Sequence, residues 1–348
     1  MNSPTPTLQQ LGWKPFFQQQ VNLEELSNLA IGRVVEQHRD RIVVMSPQGK
    51  SSLRPLSFDE QLCVGDWVLF DEALRICRLL ERQSIFQRKA SGSKVSLQLI
   101  AANVDTVMIV CSLNHDFSLN RIERYLAIAR EAMVEPVVIL TKSDLCEESD
   151  SKRLQVQELD PMLVVYTINA LDKDDIKPLK SYCYDGSTLA FLGSSGVGKS
   201  TLVNALIGYE SQQTGDIREE DSKGRHTTTH RALKLLPQGG ILMDTPGMRE
   251  LQLSRCEQGV KETFSEIAEL ADTCRFSGCT HTSEPDCAIQ QAIASGLLSE
   301  RRLMNYQKLM REQAFNGASL AEKRSKDKAF GKLINSTQNA SRRFKKGY

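Results

Sequence analysis

A glycine-rich run that ends in lysine, serine and threonine has the spacing needed to hold the phosphates of a nucleotide. It follows an apolar stretch at residues 189–192 and precedes a helical pattern at residues 202–207. In the pattern GxxxxGK[ST], backbone N–H groups wrap the phosphates, the lysine reaches the β and γ oxygens, and the serine hydroxyl binds Mg²⁺. We predict a P-loop with Lys199 as catalytic cation and Ser200 as magnesium ligand, a flexible Gly/Ser turn being the alternative. Its residues are Gly193, Ser194, Ser195, Gly196, Val197, Gly198, Lys199, Ser200 and Thr201.

A second motif indicates which base such a site would read. The apolar residues 137–140 lead into a variant of NKxD with threonine first: Thr141, Lys142, Ser143 and Asp144. A carboxylate at Asp144 can accept hydrogen bonds from N1–H and the 2-amino group of guanine, and adenine lacks both donors. We therefore predict guanine recognition, with a charged strand-to-helix turn as the alternative. Thr141 is expected to cost one polar contact and some base affinity, and a second base-contacting loop is expected near residues 169–170.

Residues downstream of the P-loop have types that suit Mg²⁺ and a γ-phosphate. The motif DxxG runs from Asp244 to Gly247 after an apolar stretch. The aspartate can hold Mg²⁺ through water, and the glycine lets the backbone approach the phosphate. The stretch GRHTTT at residues 224–229 fits a switch loop, in which Thr228 is the predicted magnesium ligand. A polar surface loop with accidental threonines is the alternative.

His226 in the same stretch is a candidate for orienting the attacking water. Many GTPases place a glutamine directly after DxxG for this purpose, but here the position is Met248, whose thioether cannot do it. A neutral imidazole can accept a hydrogen bond from water. We therefore predict a catalytic His226 and slow turnover in the free protein; a solvent-facing loop histidine is the alternative.

Three cysteines and a histidine near the C-terminal end have metal-ligand spacing: Cys274, Cys279, His281 and Cys287. Three thiolates and an imidazole complete a tetrahedron, which favours one structural Zn²⁺ per chain over a catalytic ion. Buried cysteines without a metal are the alternative. Disulfides are not expected, because most of the nine cysteines lie singly in apolar segments, as is typical of a reducing compartment.

The distribution of element patterns predicts several domains. Short β-rich pieces between residues 31 and 88 suggest a small barrel of the OB type, and the polar residues 87–94 suggest a linker. Beyond residue 104, strands alternate with helices, which predicts a mainly parallel sheet with ligands at the carboxyl ends of its strands. The predicted organisation is a polar extension (1–30), an OB-type β-barrel (31–92), an α/β P-loop GTPase domain (93–258), a helical zinc-binding domain (259–313) and a basic tail (314–348).

Composition and charge restrict the class of protein. The chain has 348 residues, 40% hydrophobic and 25% charged, without an apolar run long enough for a membrane span or a secretory signal pattern. We expect a cytoplasmic protein that does not enter a membrane. The net charge of +1 conceals a basic end, since residues 301–348 hold 13 Lys/Arg against 3 Asp/Glu. That end is either a solvated tail or an arm that contacts nucleic acid.

The order of the motifs in the chain is unusual. In familiar GTPases the base motif follows DxxG, whereas here it precedes the P-loop by about 50 residues. We therefore predict a circularly permuted GTPase domain. Such rewiring is tolerated because the termini of a domain often lie close together.

Together with these motifs, four segments resemble the family of ribosome small-subunit-dependent GTPases called RsgA or YjeQ. They are VGDWV at residues 64–68, RIERYL at 121–126, GRHTTT at 224–229 and HTSEPDC at 281–287. The resemblance implies an OB barrel, a circularly permuted GTPase and a zinc domain. It also implies a protein that binds the small (30S) ribosomal subunit and its rRNA, and hydrolyses GTP to GDP late in subunit assembly. We expect a monomer whose activity the subunit stimulates.

Two rival hypotheses belong to other classes of protein. One is an RNA-binding module or chaperone in which GTP merely sets the conformation. The other is an ATP-dependent kinase or ATPase, which the carboxylate of Asp144 should exclude. Multiple turnover measured with and without small subunits separates the first rival from a GTPase.

Overall fold

The computed structural model describes residues 5–38, 41–53, 61–89, 97–208, 231–244 and 256–317. In this part of the chain the strands are β1 (Ala30–Gln37), β2 (Ile42–Ser46), β3 (Gly49–Leu53), β4 (Trp67–Phe70), β5 (Ile76–Leu79), β6 (Ile85–Lys89), β7 (Leu97–Ala102), β8 (Thr106–Ser112), β9 (Glu135–Thr141), β10 (Val164–Ile168), β11 (Thr188–Leu192), β12 (Arg231–Leu235) and β13 (Ile241–Asp244). The α-helices are α1 (Pro15–Gln18), α2 (Leu23–Asn28), α3 (Leu119–Glu131), α4 (Ser149–Gln157), α5 (Lys173–Ile176), α6 (Lys199–Ile207), α7 (Glu257–Thr263), α8 (Ser265–Asp272), α9 (Ala288–Ala294) and α10 (Glu300–Gly317). Short 3₁₀ helices lie at Ser143–Leu145 and Lys177–Tyr182.

The centre of the molecule is a sheet in the order β10-β9-β8-β11-β13-β12. The first five strands are parallel, and β12 runs antiparallel to β13. All residues of β8 and β11 are buried, as expected for parallel strands that are covered on both faces. The predicted parallel sheet with alternating helices is confirmed.

Alternate residues of each central strand enter opposite hydrophobic cores, because side chains alternate between the faces of a strand. Val107 and Ile109 of β8 join a core that includes α3. Met108 and Val110 join the core on the other face, which includes α6. The carboxyl ends of the strands therefore lie between two helical layers, where a ligand site can be built.

The N-terminal strands continue the same sheet. Residue Glu36 of β1 lies opposite Ala232 of β12, so β1 joins the α/β part to β2 and β4. Strand β2 pairs with β3, and β4 pairs with β5. Within the described residues β3 and β5 have no pairing with each other. A closed OB barrel therefore stays a prediction, although these strands enclose a core of their own.

Arg33 fixes the N-terminal strands to the α/β part. Its side chain is buried, and its guanidinium donates to Leu11 O at 2.6 Å, Thr188 Oγ1 at 2.9 Å and Asn103 O at 2.8 Å. Burial lowers the pKa of Arg33 to about 10, and the nearby carboxylates of Asp105 and Asp66 oppose that shift. One cation thus links the chain before β1, the end of β7 and the start of β11.

The region predicted as a polar extension contains buried structure. Leu11 and Phe17 pack with Trp67 in a separate hydrophobic cluster, and α2 begins with a capping box formed by Asn22 and Glu25. The few apolar residues between the glutamines and prolines were too sparse to show a period. They are nonetheless enough to bury the side of β4 that carries Trp67 and Leu69.

The predicted linker at residues 87–94 is wrong for its first three residues. Gln87, Arg88 and Lys89 belong to β6, which forms an antiparallel pair with β7. Polar composition suggested a loop, but the cross-strand bond from Arg88 Nε to Gln98 Oε1 (3.1 Å) satisfies the polar side chain within the hairpin. The rest of the predicted linker, residues 90–94, lies outside the described residues.

Helices α7 to α10 pack on the α/β part through α3. Gly259 of α7 allows the close approach, since a Cβ there would lie 2.0 Å from Ala127 O of α3. The Gly259 amide also donates to Glu131 Oε2 at 2.8 Å. Among the described helices, none is both long and apolar enough to cross a membrane.

Candidate functional site: a nucleotide pocket and a metal cluster

The P-loop lies where predicted, between the end of β11 and the start of α6. Gly193 directly follows β11 with φ of 147°, and a Cβ at this position would lie 2.3 Å from Val110 O of β8. Only glycine fits so close to the neighbouring strand. Beyond it, Ser195 and Gly196 are exposed. The loop therefore has a fixed base and an open face, and the backbone dipoles at the start of α6 favour an anion there.

Lys199 is held inside the loop. Its side chain is buried, and Nζ donates to Gly193 O at 2.7 Å and to Ser194 O. Ser200 and Thr201 follow in the first turn of α6 and are partly exposed. The loop thus places a cation and two hydroxyl groups at a helix start, which is the chemistry that phosphates and Mg²⁺ require.

Thr141 joins the base motif to the P-loop. Its side chain is buried, and Oγ1 donates to Val197 O of the P-loop at 2.6 Å. Its backbone carbonyl accepts from Leu113 N at 2.9 Å, so the residue also holds the loop after β8. The sequence suggested that threonine loses a contact to the base. The structure shows that its hydroxyl makes a contact to the P-loop, which no spacing in the sequence indicated.

The remaining base-motif residues leave β9 in a tight turn. Lys142 has a positive φ of 61°, which turns the chain into the 3₁₀ helix that contains Ser143 and Asp144. Asp144 is exposed, as a group that meets a ligand must be. Asn169 follows β10, whose last residue pairs with Thr141. The two predicted base loops therefore lie side by side at one edge of the sheet.

The predicted magnesium and switch residues are only partly described. Asp244 is the last residue of β13, the strand next to β11 on the opposite side from β8. Its backbone position at the strand end agrees with the prediction. Gly247, Thr228 and His226 lie outside the described residues.

The four predicted zinc ligands form one cluster. Their ligand atoms all lie within 4.8 Å of one another, with Cys274 Sγ and Cys287 Sγ each 3.6 Å from His281 Nδ1 and 3.9 Å apart. Tetrahedral Zn²⁺ has bonds of about 2.3 Å to sulfur and about 2.0–2.1 Å to nitrogen. Its ligand atoms therefore lie about 3.8 Å apart for two sulfurs and about 3.5 Å apart for sulfur and nitrogen. The donor types fit, and so do these three separations; Cys279 is the fourth candidate ligand, within 4.8 Å of the others.

Polar contacts hold the ligand loop in shape. The Glu284 carboxylate accepts hydrogen bonds from the backbone amides of Thr280 (2.9 Å) and Thr282 (3.0 Å). These bonds lower the pKa of Glu284, and the bonds from Thr280 contribute most to that shift. Gln290 donates to His281 O at 2.6 Å. Burial acts to raise the pKa of Cys274, but backbone amides at the start of α9 lower it overall. A thiolate, the form that binds metal, is thus favoured at that ligand.

Sheet order, P-loop and base loop together define the class: a P-loop GTPase fold whose base strand precedes its phosphate strand in the chain. Comparisons with known proteins agree. The family described as RsgA GTPase matches residues 79–254. A Vibrio parahaemolyticus protein named small ribosomal subunit biogenesis GTPase RsgA 2 is 56% identical over 99% of this chain and 97% of its own length. The RsgA of Mesorhizobium japonicum is 44% identical over 91% of this chain and 92% of its own length.

Solved structures give the same result. YjeQ from Thermotoga maritima has a TM-score of 0.62 and 27% identity, and the match covers 82% of this chain and 99% of that one. YloQ, described as a circularly permuted GTPase, has a TM-score of 0.58 and 22% identity, and the match covers 86% of this chain and 99% of that one. This likeness shows that the two proteins share a fold. This chain belongs to the RsgA GTPase family.

Proposed function

We propose that this protein binds the small (30S) ribosomal subunit and hydrolyses GTP to GDP and phosphate during late subunit assembly, with turnover stimulated by the subunit. The observation that carries the GTPase part is the hydrogen bond from Thr141 to Val197, which joins the base loop directly to the P-loop. The subunit part rests on a relative that is named a small ribosomal subunit biogenesis GTPase and is 56% identical over 99% of this chain.

The roles of the pocket residues follow from their chemistry. Lys199 neutralises charge on the β and γ oxygens, and P-loop amides hold the phosphates. Ser200, Thr228 and Asp244 would hold Mg²⁺, which would offset negative charge on the phosphates, while Gly247 would let the backbone reach the γ-phosphate. Asp144 reads guanine.

We assign the positioning of the attacking water to His226. Met248, at the place where many GTPases carry glutamine, offers no suitable hydrogen-bond acceptor. Subunit binding would favour the state in which the imidazole of His226 faces the site. His226→Ala should lose the stimulation but keep GTP and subunit binding; a fully stimulated variant would exclude this role.

The domains of the chain have separate proposed roles in binding nucleotide and the ribosomal subunit. We propose an OB-type barrel at residues 31–92, a GTPase domain at 93–258 and a structural Zn²⁺ domain at 259–313, in a cytoplasmic monomer that contacts rRNA. Of the predicted basic tail at residues 314–348, residues 314–317 belong to α10, and we propose that the basic residues beyond this helix act as an arm. If they touch phosphates, deleting residues beyond 317 lowers subunit affinity and flattens its salt dependence; an unchanged slope would mean that the tail is only solvated.

Steady-state turnover of the full chain tests the proposal. GTP hydrolysis should be slow alone and at least about tenfold faster with 30S subunits, because subunit binding selects the ordered switch. Lys199→Ala should be inactive in both conditions and still bind subunits. ATP should not compete. Equal turnover with and without subunits would overturn the subunit part, and GTP binding without multiple turnover would favour the rival RNA chaperone.

A further inference from the structure

Lys152 of α4 joins two loops at the carboxyl edge of the central sheet. Its ammonium group donates to Leu113 O at 3.0 Å and to Cys146 Sγ at 3.4 Å. The same Nζ lies 5.5 Å from the centre of the Phe117 ring. Leu113 and Phe117 belong to the loop after β8, whereas Cys146 directly follows the 3₁₀ helix of the base motif. One cation therefore has partners on both loops.

The loop after β8 gives this cation a fixed point of attachment. Leu113 is buried, and the side chain of its neighbour Asn114 closes the loop on itself. Asn114 Oδ1 accepts from Ser112 Oγ at 2.7 Å and from the Asp116 amide at 3.1 Å. Short-range bonds of this kind hold a turn in one shape. The Leu113 carbonyl is thus a rigid acceptor for Lys152.

Leu113 holds both ends of the turn that carries the base motif. Its N–H donates to Thr141 O at 2.9 Å, where β9 ends. Its carbonyl binds Lys152, which reaches Cys146 on the far side of the turn. Between these ends, Asp144 is the middle residue of the 3₁₀ helix and is exposed. An exposed carboxylate in so short a turn takes its direction from the residues on either side of it.

We infer that Lys152 is a positioning residue for guanine recognition. It holds the Cys146 end of the turn so that both carboxylate oxygens of Asp144 face the edge of the base. Guanine offers two donors, N1–H and the 2-amino group, and only a correctly directed carboxylate accepts from both. Hypoxanthine, the base of inosine diphosphate (IDP), lacks the 2-amino group, so a displaced carboxylate costs it less. Lys152 thereby adds to the preference for GDP over IDP without touching either.

This inference rests on the proposed nucleotide site, in which Asp144 reads guanine, and titration of the full chain with GDP and IDP tests it. Lys152→Met keeps an apolar stem and loses the cation. GDP affinity should fall about 3- to 10-fold, the range expected for one lost hydrogen bond, and IDP affinity no more than about twofold. Lys152→Arg supplies a cation that can donate to Leu113 O and lie over Phe117, so it should keep most of the GDP preference.

Two further variants serve as a second probe and a control. Cys146→Ala removes only the contact at the far end of the turn and should lower the GDP-to-IDP affinity ratio in the same direction. Lys261→Met removes an exposed lysine of α7 that pairs with Glu257 at 3.2 Å, and it should leave both affinities unchanged.

The outcomes separate positioning from general stability. An equal loss of GDP and IDP affinity in Lys152→Met, or an unchanged GDP affinity, would overturn the inference. If circular dichroism shows that Lys152→Met does not fold, the affinity ratio in Cys146→Ala decides in its place. A wild-type chain that does not bind GDP, or that binds IDP equally well, would refute the proposed guanine site itself.

Discussion

At the residue scale, the hydroxyl of Thr141 is the feature that changes how the base motif is understood. Because the hydroxyl is buried and donates to Val197 O at 2.6 Å, it has no second proton for the base. In the proposed function, base selection then depends on Asp144, while Thr141 links the base loop to the P-loop.

Thr141→Val tests this role, because valine keeps the shape and loses the donor. The Val197 carbonyl would be left without this partner, and we expect GDP affinity to fall about 3- to 10-fold. Thr141→Ser keeps the hydroxyl donor and should therefore retain most of the GDP affinity. The GDP-to-IDP affinity ratio should stay constant in both variants; a changed ratio would mean that Thr141 contacts the base after all.

Cysteine chemistry gives a second prediction at this scale. Burial raises the pKa of Cys111 to about 12 and that of Cys183 to about 11. Since only the thiolate reacts, both should stay unlabelled by iodoacetamide in native protein at pH 8, with labelling increasing only as the pH rises toward those values. Cys77 is exposed and should label first in peptide mass spectrometry. Rapid native labelling of Cys111 would contradict its burial beside the P-loop.

At the element scale, the main feature of the segment between α8 and α9 is the cluster of Cys274, Cys279, His281 and Cys287, which could hold a metal ion. Residues 273–287 contain no regular strand or helix, and between the ligands most side chains are exposed. A segment with so little apolar core needs another source of stability, which the four ligands supply if Zn²⁺ is bound. The start of α9, directly after the N-cap residue Cys287, would then depend on the same ion.

Cys279→Ala should therefore release the metal and loosen this segment. We expect elemental analysis to find one zinc per wild-type chain and less than about a tenth of that in the variant. Proteolysis should cut the variant between α8 and α9, while GDP affinity stays within about twofold because the pocket lies in other elements. Wild-type protein purified without chelator and free of zinc would refute the assignment.

At the scale of the whole molecule, the sequence predicted what depends on local spacing. The P-loop, the base motif and the cluster Cys274 to Cys287 could be found because their chemistry requires fixed intervals along the chain. The contacts of Arg33 and the Thr141 bond could not, since they join residues distant in sequence and leave no periodic signal. Gln87 to Lys89 were mistaken for a linker because polar composition does not show which residues a strand partner will satisfy.

The proposed function combines a choice of nucleotide with subunit-dependent turnover, and one variant tests both. Asp144→Asn replaces an acceptor by an amide that can donate to the 2-oxo group of xanthine. With 30S subunits present, we expect the variant to hydrolyse XTP at a rate approaching that of wild type with GTP, and to hydrolyse GTP at least about tenfold more slowly. Neither 50S subunits nor free RNA should replace 30S subunits. Unchanged GTP turnover in the variant, or equal stimulation by 50S subunits, would contradict the account.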